Sequence, residues 1–223
     1  MRTAAVIPVK PLDHALGRLA SVLSPLERRE LQAAMLAEVL LACRDCPGIT
    51  DTLVVTGDAS AAALSRSTGA IVVEDHAPPR GMNPATALGQ AFAASRGMDA
   101  VLILTADLPL VSADDLDDIL DALAPREGAV LVPSRDGTGT NALAIAPPLG
   151  IATRLGPNSR ELHELALLEA GISVRQLEIS SLALDVDTPD DLWALATCAY
   201  TGMAAERCGA WNLAERLGAG VVR

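Results

Sequence analysis

Aromatic residues and lysine are nearly absent from this chain of 223 residues. Its 17 basic residues comprise a single lysine, Lys10, and otherwise arginines. The hydrophobic core must therefore be built from Leu, Val, Ile and Ala, and a chain of this length can bury a full core. A bound nucleobase would find few aromatic side chains on which to stack. The aromatic residues are Phe92, Trp193, Tyr200 and Trp211.

Positive charge as a whole is scarce, because 17 basic residues face 28 acidic ones and give a formal net charge of -11. Nucleic acids and anionic membranes both require a basic protein surface, so the composition argues against either partner. A small anionic ligand stays compatible if basic groups gather locally.

Long apolar runs are absent as well. The N-terminal apolar run, residues 4–9, is too short for the core of a signal peptide, and no stretch approaches the length of a membrane span. A cytoplasmic location is therefore expected.

Cysteine is limited to four residues, which include one C-x-x-C pair, Cys43 and Cys46. A zinc ribbon needs a second such pair. A redox motif of the thioredoxin type opens a helix after a strand, whereas Cys43 falls at the end of a helical pattern. We therefore expect ordinary thiols in a reducing compartment.

Three common motifs are also missing. The chain contains neither G-x-x-x-x-G-K-[ST] nor G-x-G-x-x-G, which argues against a P-loop or a standard dinucleotide fold. It also lacks the G-x-S-x-G elbow of Ser/His/Asp hydrolases.

What the chain does contain is an alternation of strands and helices. The strand patterns are continuously apolar, which favours a parallel sheet covered on both faces. They lie at 4–9, 52–56, 70–74, 100–104 and 129–133. Helices are predicted after the capping box Ser24–Glu27, and at about 59–67, 84–96, 113–124, 159–170 and from Thr188. The segments VRQLEI and LALDVD resemble further strands.

This alternation predicts one α/β domain with a single doubly wound, mostly parallel sheet. The domain is expected to span residues 1–200, with an irregular, ligand-shaped second half. Residues 201–223 are expected to form a helical tail, to which the sequence assigns no role.

Charged residues follow several of the predicted strands. Lys10 and Arg18 come after the first strand, Asp107 after the fourth, and Asp185 and Asp187 near the end. Carboxyl ends of parallel strands form the ligand edge of such a sheet. Two carboxylates facing two cations suit a magnesium ion that bridges phosphates. Taken singly, Lys10 could be a surface charge, Asp107 a turn former and Asp187 part of a helix entry.

Two further segments are suited to anions. In DGTGTNAL, backbone N–H groups can turn toward an anion while Thr138 and Thr140 supply hydroxyls, although a plain hairpin turn explains the glycines equally simply. The stretch from Gly156 to Ser159 opens a helix, whose free N–H groups attract phosphate or carboxylate. His163 lies on the same helical face and could add a donor, or be a surface histidine.

One family matches these blocks in order over residues 4–195: IPVKPL, Arg18-Leu19, TADLPLV, SRDGTGTNALAI, LGPNS followed by His163, and LDVDTPDDL. The chain resembles the guanylyltransferases of deazaflavin coenzyme biosynthesis, called 2-phospho-L-lactate or phosphoenolpyruvate guanylyltransferases. The resemblance implies a nucleotide-diphosphosugar-transferase-like fold. It implies transfer of GMP from GTP to the phosphate of a three-carbon acid, with release of pyrophosphate.

The resemblance also implies roles for individual residues. Asp107 and Asp185 would hold Mg²⁺, while Lys10 and Arg18 would stabilise charge on the nucleotide phosphates and Asn83 would lie near the guanine. A second group would cradle the phosphorylated acid; it comprises Thr140, Gly156 and Ser159, with His163 beside them.

One position departs from the family. Typical members carry a lysine where this chain has Leu16, and leucine cannot contact a phosphate. Two alternatives therefore stay open: a related nucleotidyltransferase with another nucleotide or acceptor, such as 3-phospho-D-glycerate, and a non-catalytic GTP-binding homologue. A sugar transferase fits less well, because its acidic motif would directly follow a central strand. A homodimer is compatible with the apolar helix faces.

Overall fold

A computed structural model describes residues 1–75, 81–123 and 128–218. Seven strands form one sheet: β1 Thr3–Pro8, β2 Ile49–Thr56, β3 Ile71–Glu74, β4 Ala100–Leu104, β5 Gly128–Pro133, β6 Thr140–Ala146 and β7 Val174–Gln176. The α-helices are α1 Pro25–Asp45, α2 Ala59–Ser67, α3 Met82–Ser95, α4 Ala113–Ala122, α5 Ser159–Glu169, α6 Ser180–Ala183, α7 Pro189–Thr197, α8 Met203–Ala210 and α9 Leu213–Gly218. Two 3₁₀ turns, Leu12–His14 and Gly17–Leu19, follow β1.

The strand order is β3-β2-β1-β4-β6-β5-β7. Strands β3, β2, β1 and β4 are parallel, β6 runs antiparallel to both β4 and β5, and β7 is parallel to β5. The predicted α/β class with a mostly parallel sheet is therefore confirmed. The reversed strand β6 was not predicted, because a glycine-rich loop precedes it and TNALAIA carries no turn signal of its own.

The predicted strand in LALDVD is wrong. Ser180–Ala183 forms the short helix α6, and the residues after it run without sheet pairing. The VRQ half of the other strand-like segment does form β7, at the edge of the sheet. Polar hydrogen bonds, rather than ladder pairing, hold the DVD segment in place, as described below.

The sheet is buried on both faces, as the continuous apolar strands predicted. Ala5 and Ile7 of β1 pack in one cluster with residues of α1 and α4. Ala4 and Val6 point to the opposite face, toward residues of α3 and α5. Successive residues of a strand face opposite sides, so one short strand contributes to two cores.

A third apolar cluster lies beyond the sheet, and we call it the tail cluster. It joins Leu16 and Leu19 of the turns after β1, Met35 of α1, Leu192 of α7 and Leu213 of α9. All five are buried. The described residues after Tyr200 form α8 and α9 and share a core with the segment that follows β1.

Helix starts were the best predicted boundaries. The Ser24 hydroxyl accepts from the Glu27 N–H, Glu27 accepts from the Ser24 N–H, and Pro25 occupies the first helical position. Thr188 and Asp191 form the same reciprocal cap at α7. The four cysteines are free thiols. No helix in the described residues is long and apolar enough to cross a membrane.

Candidate active site

The segment after β1 carries the first two candidate residues. The Val9 N–H donates to the Val55 carbonyl at 2.9 Å, which extends the parallel pairing one residue past β1. Lys10 follows at once and is exposed. Within the described parts of the chain its ammonium has no hydrogen-bond or ion-pair partner. The positively charged Lys10 side chain thus lies at the carboxyl edge of the sheet without a partner among the described residues.

The two 3₁₀ turns beyond Lys10 are held from several sides. The Leu12 N–H donates to the Asp58 carboxylate at 3.1 Å, and the Arg28 guanidinium donates to the Ala15 carbonyl at 3.4 Å. Leu16 adopts a left-handed backbone with φ 53°, which costs a leucine energy unless the surroundings hold it. Its side chain is only 7% exposed and packs in the tail cluster. Leu16 is therefore an apolar anchor for this loop.

Asp107 comes three residues after β4. The Val186 N–H donates to the Asp107 carbonyl at 3.1 Å, which brings the DVD segment beside it. Its Oδ1 atom is buried without a hydrogen-bond partner among the described residues. Burial, with smaller contributions from the nearby Asp185 and Asp187 carboxylates, raises the pKa of Asp107 to about 6. A buried carboxylate with like charges nearby lacks a counter-charge.

Asp185 is positioned by Asn141 of β6, a residue that the sequence analysis did not single out. The Asn141 amide donates to the Asp185 carboxylate at 3.1 Å and to the Leu182 carbonyl at 2.8 Å. Burial raises the pKa of Asp185, and the Asn141 hydrogen bond opposes that shift. The available signal was a lone polar amide, Asn141, inside an otherwise apolar run.

A cleft of about 310 Å³ brings most of these groups together. Lys10, Arg18, Asp107 and Asp187 all line it. Arg18 donates to Asp187 at 2.8 Å, with both side chains substantially exposed. Of the two acidic residues in DVD, Asp187 thus lines the cleft while Asp185 lies beside it, bonded to Asn141. The predicted basic and acidic residues therefore share one edge of the sheet.

His163 is fully buried, and both of its ring nitrogens are bonded within the protein. The Arg154 N–H donates to Nε2 at 2.8 Å, so Nδ1 carries the proton and donates to the Thr140 hydroxyl at 3.0 Å. Burial, together with the nearby Arg154 charge, lowers the pKa of His163 to about 4. The sequence analysis left open whether His163 adds a donor for a bound acid or lies on the surface. The ring is buried and has no free donor, and it positions Thr140.

The DGTGT loop is organised around its own carboxylate. Asp136 accepts from the Thr138 N–H at 2.9 Å, from the Thr138 hydroxyl at 2.9 Å and from the Ser134 hydroxyl at 2.6 Å. These bonds lower the pKa of Asp136 to about 2. The Thr138 donors that were expected to face an external anion are engaged by Asp136 in this conformation.

The second anion-suited segment adjoins this loop. The Arg160 N–H donates to the Thr138 carbonyl at 3.1 Å, which ties the start of α5 to the DGTGT loop. Gly156 adopts φ 130°, a conformation that favours glycine. Its carbonyl accepts from the N–H of Ser159, which is buried. Thr140, Gly156 and Ser159 thus belong to one connected loop system.

Asn83 links this loop system to α3. Its side-chain amide donates to the Leu155 carbonyl at 3.0 Å, and its oxygen accepts from the Leu155 N–H at 2.6 Å. Both ends of the amide are thus used on the backbone that leads into Gly156. In this conformation Asn83 positions that segment, and its proximity to a guanine stays a prediction.

The described residues contain no group of three or more His, Cys, Asp or Glu side chains arranged to hold a metal ion. Any divalent cation in the cleft would therefore be bound by two carboxylates together with water or substrate oxygens. Mg²⁺ in particular keeps several waters and is held through one or two carboxylates plus phosphates. The unpartnered Asp107 oxygen beside Asp185 fits that kind of site.

Charged side chains gathered at the carboxyl edge of a mostly parallel sheet are typical of α/β proteins that bind ligands there. A solved structure described as a nucleotide-diphospho-sugar transferase, from Desulfovibrio desulfuricans G20, aligns with a TM-score of 0.74 at 17% identity over 97% of this chain and 99% of that one. A nucleotidyl transferase from Methanothermobacter aligns with a TM-score of 0.61 at 19% identity, over 87% and 95% of the two chains.

The chain belongs to the family described as "Guanylyl transferase CofC like", whose model matches residues 3–201. Two curated relatives are named phosphoenolpyruvate guanylyltransferase. The protein from Sphaerobacter thermophilus is 37% identical over 94% of this chain and 100% of its own length. The protein from Conexibacter woesei is 42% identical over 87% of each chain. The chain is therefore an enzyme of the nucleotidyltransferase class.

Proposed function

We propose that this enzyme transfers GMP from GTP to the phosphate of phosphoenolpyruvate and releases pyrophosphate. The observation that carries the proposal is the cleft whose lining brings together Asp107, Lys10 and Arg18. Among the described residues, the buried Asp107 Oδ1 atom and the Lys10 ammonium have no partner. Such a site can neutralise the charge of a nucleoside triphosphate and leave space for the acceptor acid. The relatives named phosphoenolpyruvate guanylyltransferase support the choice of base and acid.

The reaction we propose is a direct in-line displacement. A phosphate oxygen of the acid attacks the α-phosphorus of GTP, and the bond from that phosphorus to the β-phosphate oxygen breaks. Pyrophosphate leaves with the electron pair of that bond, and the acid becomes joined to GMP through a new phosphoanhydride. No covalent intermediate on the protein is required, because positioning and charge neutralisation carry phosphoryl-group chemistry.

The roles of the chain's residues follow from where they lie. Lys10 and Arg18 would bind the nucleotide phosphates, and Arg18 would exchange its contact with Asp187 for one to the substrate. Asp107 and Asp185 would hold Mg²⁺, which supplies charge neutralisation and orientation for the phosphates when bound. Asn141 would fix the Asp185 carboxylate.

The acid is expected beside the loop system of Thr140, Gly156 and Ser159. The Thr140 hydroxyl accepts from His163 and so keeps its own proton for a ligand. Gly156 and Ser159 lie at the start of α5, whose positive dipole end favours a phosphate or carboxylate, while the Ser159 and Arg160 N–H groups donate to carbonyls within the protein. We also propose that the product serves deazaflavin coenzyme synthesis and that the enzyme acts in the cytoplasm.

One assay tests the donor and the acceptor together. The purified enzyme is incubated with Mg²⁺, GTP and either phosphoenolpyruvate, 2-phospho-L-lactate or 3-phospho-D-glycerate, and products are identified by mass. A guanylated phosphoenolpyruvate is expected. If only another acid gave product, that acid would be the acceptor and phosphoenolpyruvate would not. Pyrophosphate release with CTP but not with GTP would show that CTP is the nucleotide donor. GTP binding without any product would favour a non-catalytic homologue.

The role of Asp107 is tested by Asp107→Asn. We expect a loss of kcat of at least about 100-fold with the fold intact, because the substitution removes the buried negative charge and keeps the side-chain shape. Asp118→Asn, on the exposed face of α4, is the matched control and should keep full activity. Near-normal pyrophosphate release by Asp107→Asn would remove Asp107 from the mechanism.

A further inference from the structure

A glutamine of α1 lines the cleft and has not yet been given a role. Gln32 lies beside Leu31, Met35 and Leu36, which are fully buried, so this face of α1 packs into the core. Gln32 itself is only 7% exposed and contributes the one amide side chain to the described lining of the cleft. Burying an amide costs free energy unless it is hydrogen-bonded. The bonds of Gln32 therefore show what it is placed to hold.

The Gln32 amide is bonded to the residue before Asp107. Its Nε2 atom donates to the Ala106 carbonyl at 2.7 Å, and Ala106 is buried as well. No group among the described residues donates to the Gln32 Oε1 atom. The side chain thus joins α1 to the backbone that carries the Asp107 carboxylate, at the wall of the cleft.

The backbone around Asp107 is held by hydrogen bonds from three parts of the chain. The Thr105 N–H donates to the Asn141 carbonyl of β6 at 3.3 Å. The Val186 N–H donates to the Asp107 carbonyl at 3.1 Å. The third bond comes from Gln32, and of these three it is the one that a side chain supplies. A substitution of Gln32 can therefore remove one support of this segment and leave the other two in place.

The Asp107 carboxylate depends on that backbone for its position. Its Oδ1 atom is buried and has no hydrogen-bond partner among the described residues. The place of this oxygen in the cleft is thus set by how the segment is held. Groups that orient a metal-binding carboxylate from behind typically change metal affinity or activity by about 10- to 100-fold when they are removed.

We infer that Gln32 is a positioning residue, which fixes Asp107 at the wall of the cleft through the Ala106 carbonyl. This inference rests on the proposed use of Asp107 to hold Mg²⁺ for GTP, and it adds a residue of α1 to that site. Gln32 needs no contact with the substrate, because its bond ends on the residue before Asp107. Helix α1 therefore packs against the sheet and also holds the segment that presents the carboxylate.

Gln32→Met tests the inference, because methionine has a similar length and shape but no N–H donor. GTP binding is measured by calorimetry in Mg²⁺ and in EDTA. We expect the Kd in Mg²⁺ to rise about 10- to 100-fold and the Kd in EDTA to stay within about twofold of wild type. An equal weakening in both conditions, or no change in either, would overturn the inference.

Gln90→Met is the matched control, since it removes another buried amide that donates to the backbone. Gln90 of α3 is 2% exposed, and its Nε2 atom donates to the Pro148 carbonyl at 2.8 Å and to the Ile151 carbonyl at 3.2 Å. It is not among the residues that line the cleft. The control should lower the urea midpoint and keep the wild-type effect of Mg²⁺ on GTP binding. Loss of that effect in the control as well would assign it to destabilisation and overturn the inference.

A double-mutant cycle shows whether Gln32 acts through Asp107. Product formation from GTP and phosphoenolpyruvate is compared for Gln32→Met, Asp107→Asn and the double variant. Gln32→Met should lower kcat about 10- to 100-fold in the wild-type background and by less than about threefold in the Asp107→Asn background. The full loss in both backgrounds would mean that Gln32 acts independently of Asp107, which contradicts the inference.

Failure of the inference and failure of the proposed function give different results. Wild-type product from GTP, together with additive losses in the cycle, would keep the proposed function and remove the inference. A wild type that binds GTP with Mg²⁺ and makes no product would count against the proposed function, and calorimetry of Gln32→Met would then decide the inference alone. GTP binding that is the same in Mg²⁺ and in EDTA would overturn the inference together with the Mg²⁺ role of Asp107.

Discussion

At the scale of single residues, the one lysine stands apart from the arginines. Arg18 is paired with Asp187 in the cleft, whereas the Lys10 ammonium has no partner among the described residues. Lysine presents a compact charge on a flexible stem, while arginine presents a rigid planar fork. Lys10 is therefore the cation that can meet a phosphate without first giving up another contact.

Lys10→Ala is expected to lower kcat/KM for GTP by at least about 100-fold, since it removes a charge-assisted contact to the phosphates. Lys10→Arg should recover only part of that loss if the site requires a compact ammonium. Arg175→Ala, exposed on β7, removes the same charge elsewhere and should behave as wild type. Full activity of Lys10→Arg in steady-state assays would reduce Lys10 to a generic positive charge.

His163 gives a pH dependence of stability. Its pKa in the folded protein is lowered to about 4, so between pH 6.5 and 4 the unfolded chain binds a proton that the folded protein refuses. Stability is therefore lost as pH falls through this range, by about 2 kcal/mol at pH 5. Asp107 acts in the opposite direction, because its raised pKa of about 6 makes the folded protein bind a proton more tightly as pH falls.

A comparison of the wild type with His163→Gln isolates the contribution of His163 to the pH dependence of stability. Urea unfolding at pH 7.5 and pH 5 should show a loss of stability that is about 2 kcal/mol larger in the wild type than in the variant. His14→Gln changes an exposed histidine and should leave the wild-type difference unchanged. Identical losses in the wild type and His163→Gln would mean that the ring takes up a proton within the fold.

At the scale of elements, the helices and strands that depend on local sequence patterns were predicted correctly. The elements that depend on contacts with distant parts of the chain were missed. The box at Ser24 and the apolar run of β1 are local signals, and both elements form as predicted. Strand β6 exists because β4 and β5 both pair with it, which no local pattern in TNALAIA reveals. The DVD segment is likewise placed by Asn141 and by the Asp107 carbonyl, from elsewhere in the chain.

In the candidate site, too, some features were predictable from local sequence and others depend on distant contacts. Position after a strand was enough to predict that Lys10, Arg18 and Asp107 meet at one edge. The DVD acids reach the same edge although the strand predicted in LALDVD does not form. The internal bonds of the second half could not be read from spacing, because they depend on which polar groups the fold brings close. Thus Asp136 engages the Thr138 donors and His163 turns out to be buried.

Leu16 connects the phosphate-facing loop to the tail cluster. Leu16→Ala is expected to lower the free energy of unfolding by about 2–3 kcal/mol, because it leaves a cavity among buried side chains. Leu16→Lys should destabilise more, since it would bury an unpaired charge. Leu26→Ala, at a leucine that is 65% exposed, is the control and should stay within about 0.5 kcal/mol of wild type. A wild-type urea midpoint for Leu16→Lys would show that a lysine can leave the cluster for the cleft.

At the scale of the whole molecule, the tail cluster makes the residues after Tyr200 part of the enzyme's core. Ala204, Cys208 and Leu213 of the tail are buried, and the Arg216 guanidinium donates to the Glu27 carboxylate at 2.6 Å. That contact lowers the pKa of Glu27 to about 2. The same cluster contains Leu16 and Leu19, which flank Arg18 in the cleft. The tail is therefore coupled to the site through the apolar packing of this cluster.

Removal of the tail should therefore lower both stability and affinity for the nucleotide. A chain that ends at Gly202 loses three buried side chains of the tail cluster and should be less stable by about 3–5 kcal/mol. In the fraction that stays folded, KM for GTP should rise more than kcat falls, because the loop that carries Lys10 and Arg18 loses its support. A chain that ends at Gly218 keeps α8 and α9 and serves as the control. If the Gly202 chain unfolds at the wild-type urea concentration and keeps its KM for GTP, the tail has no part in shaping the cleft.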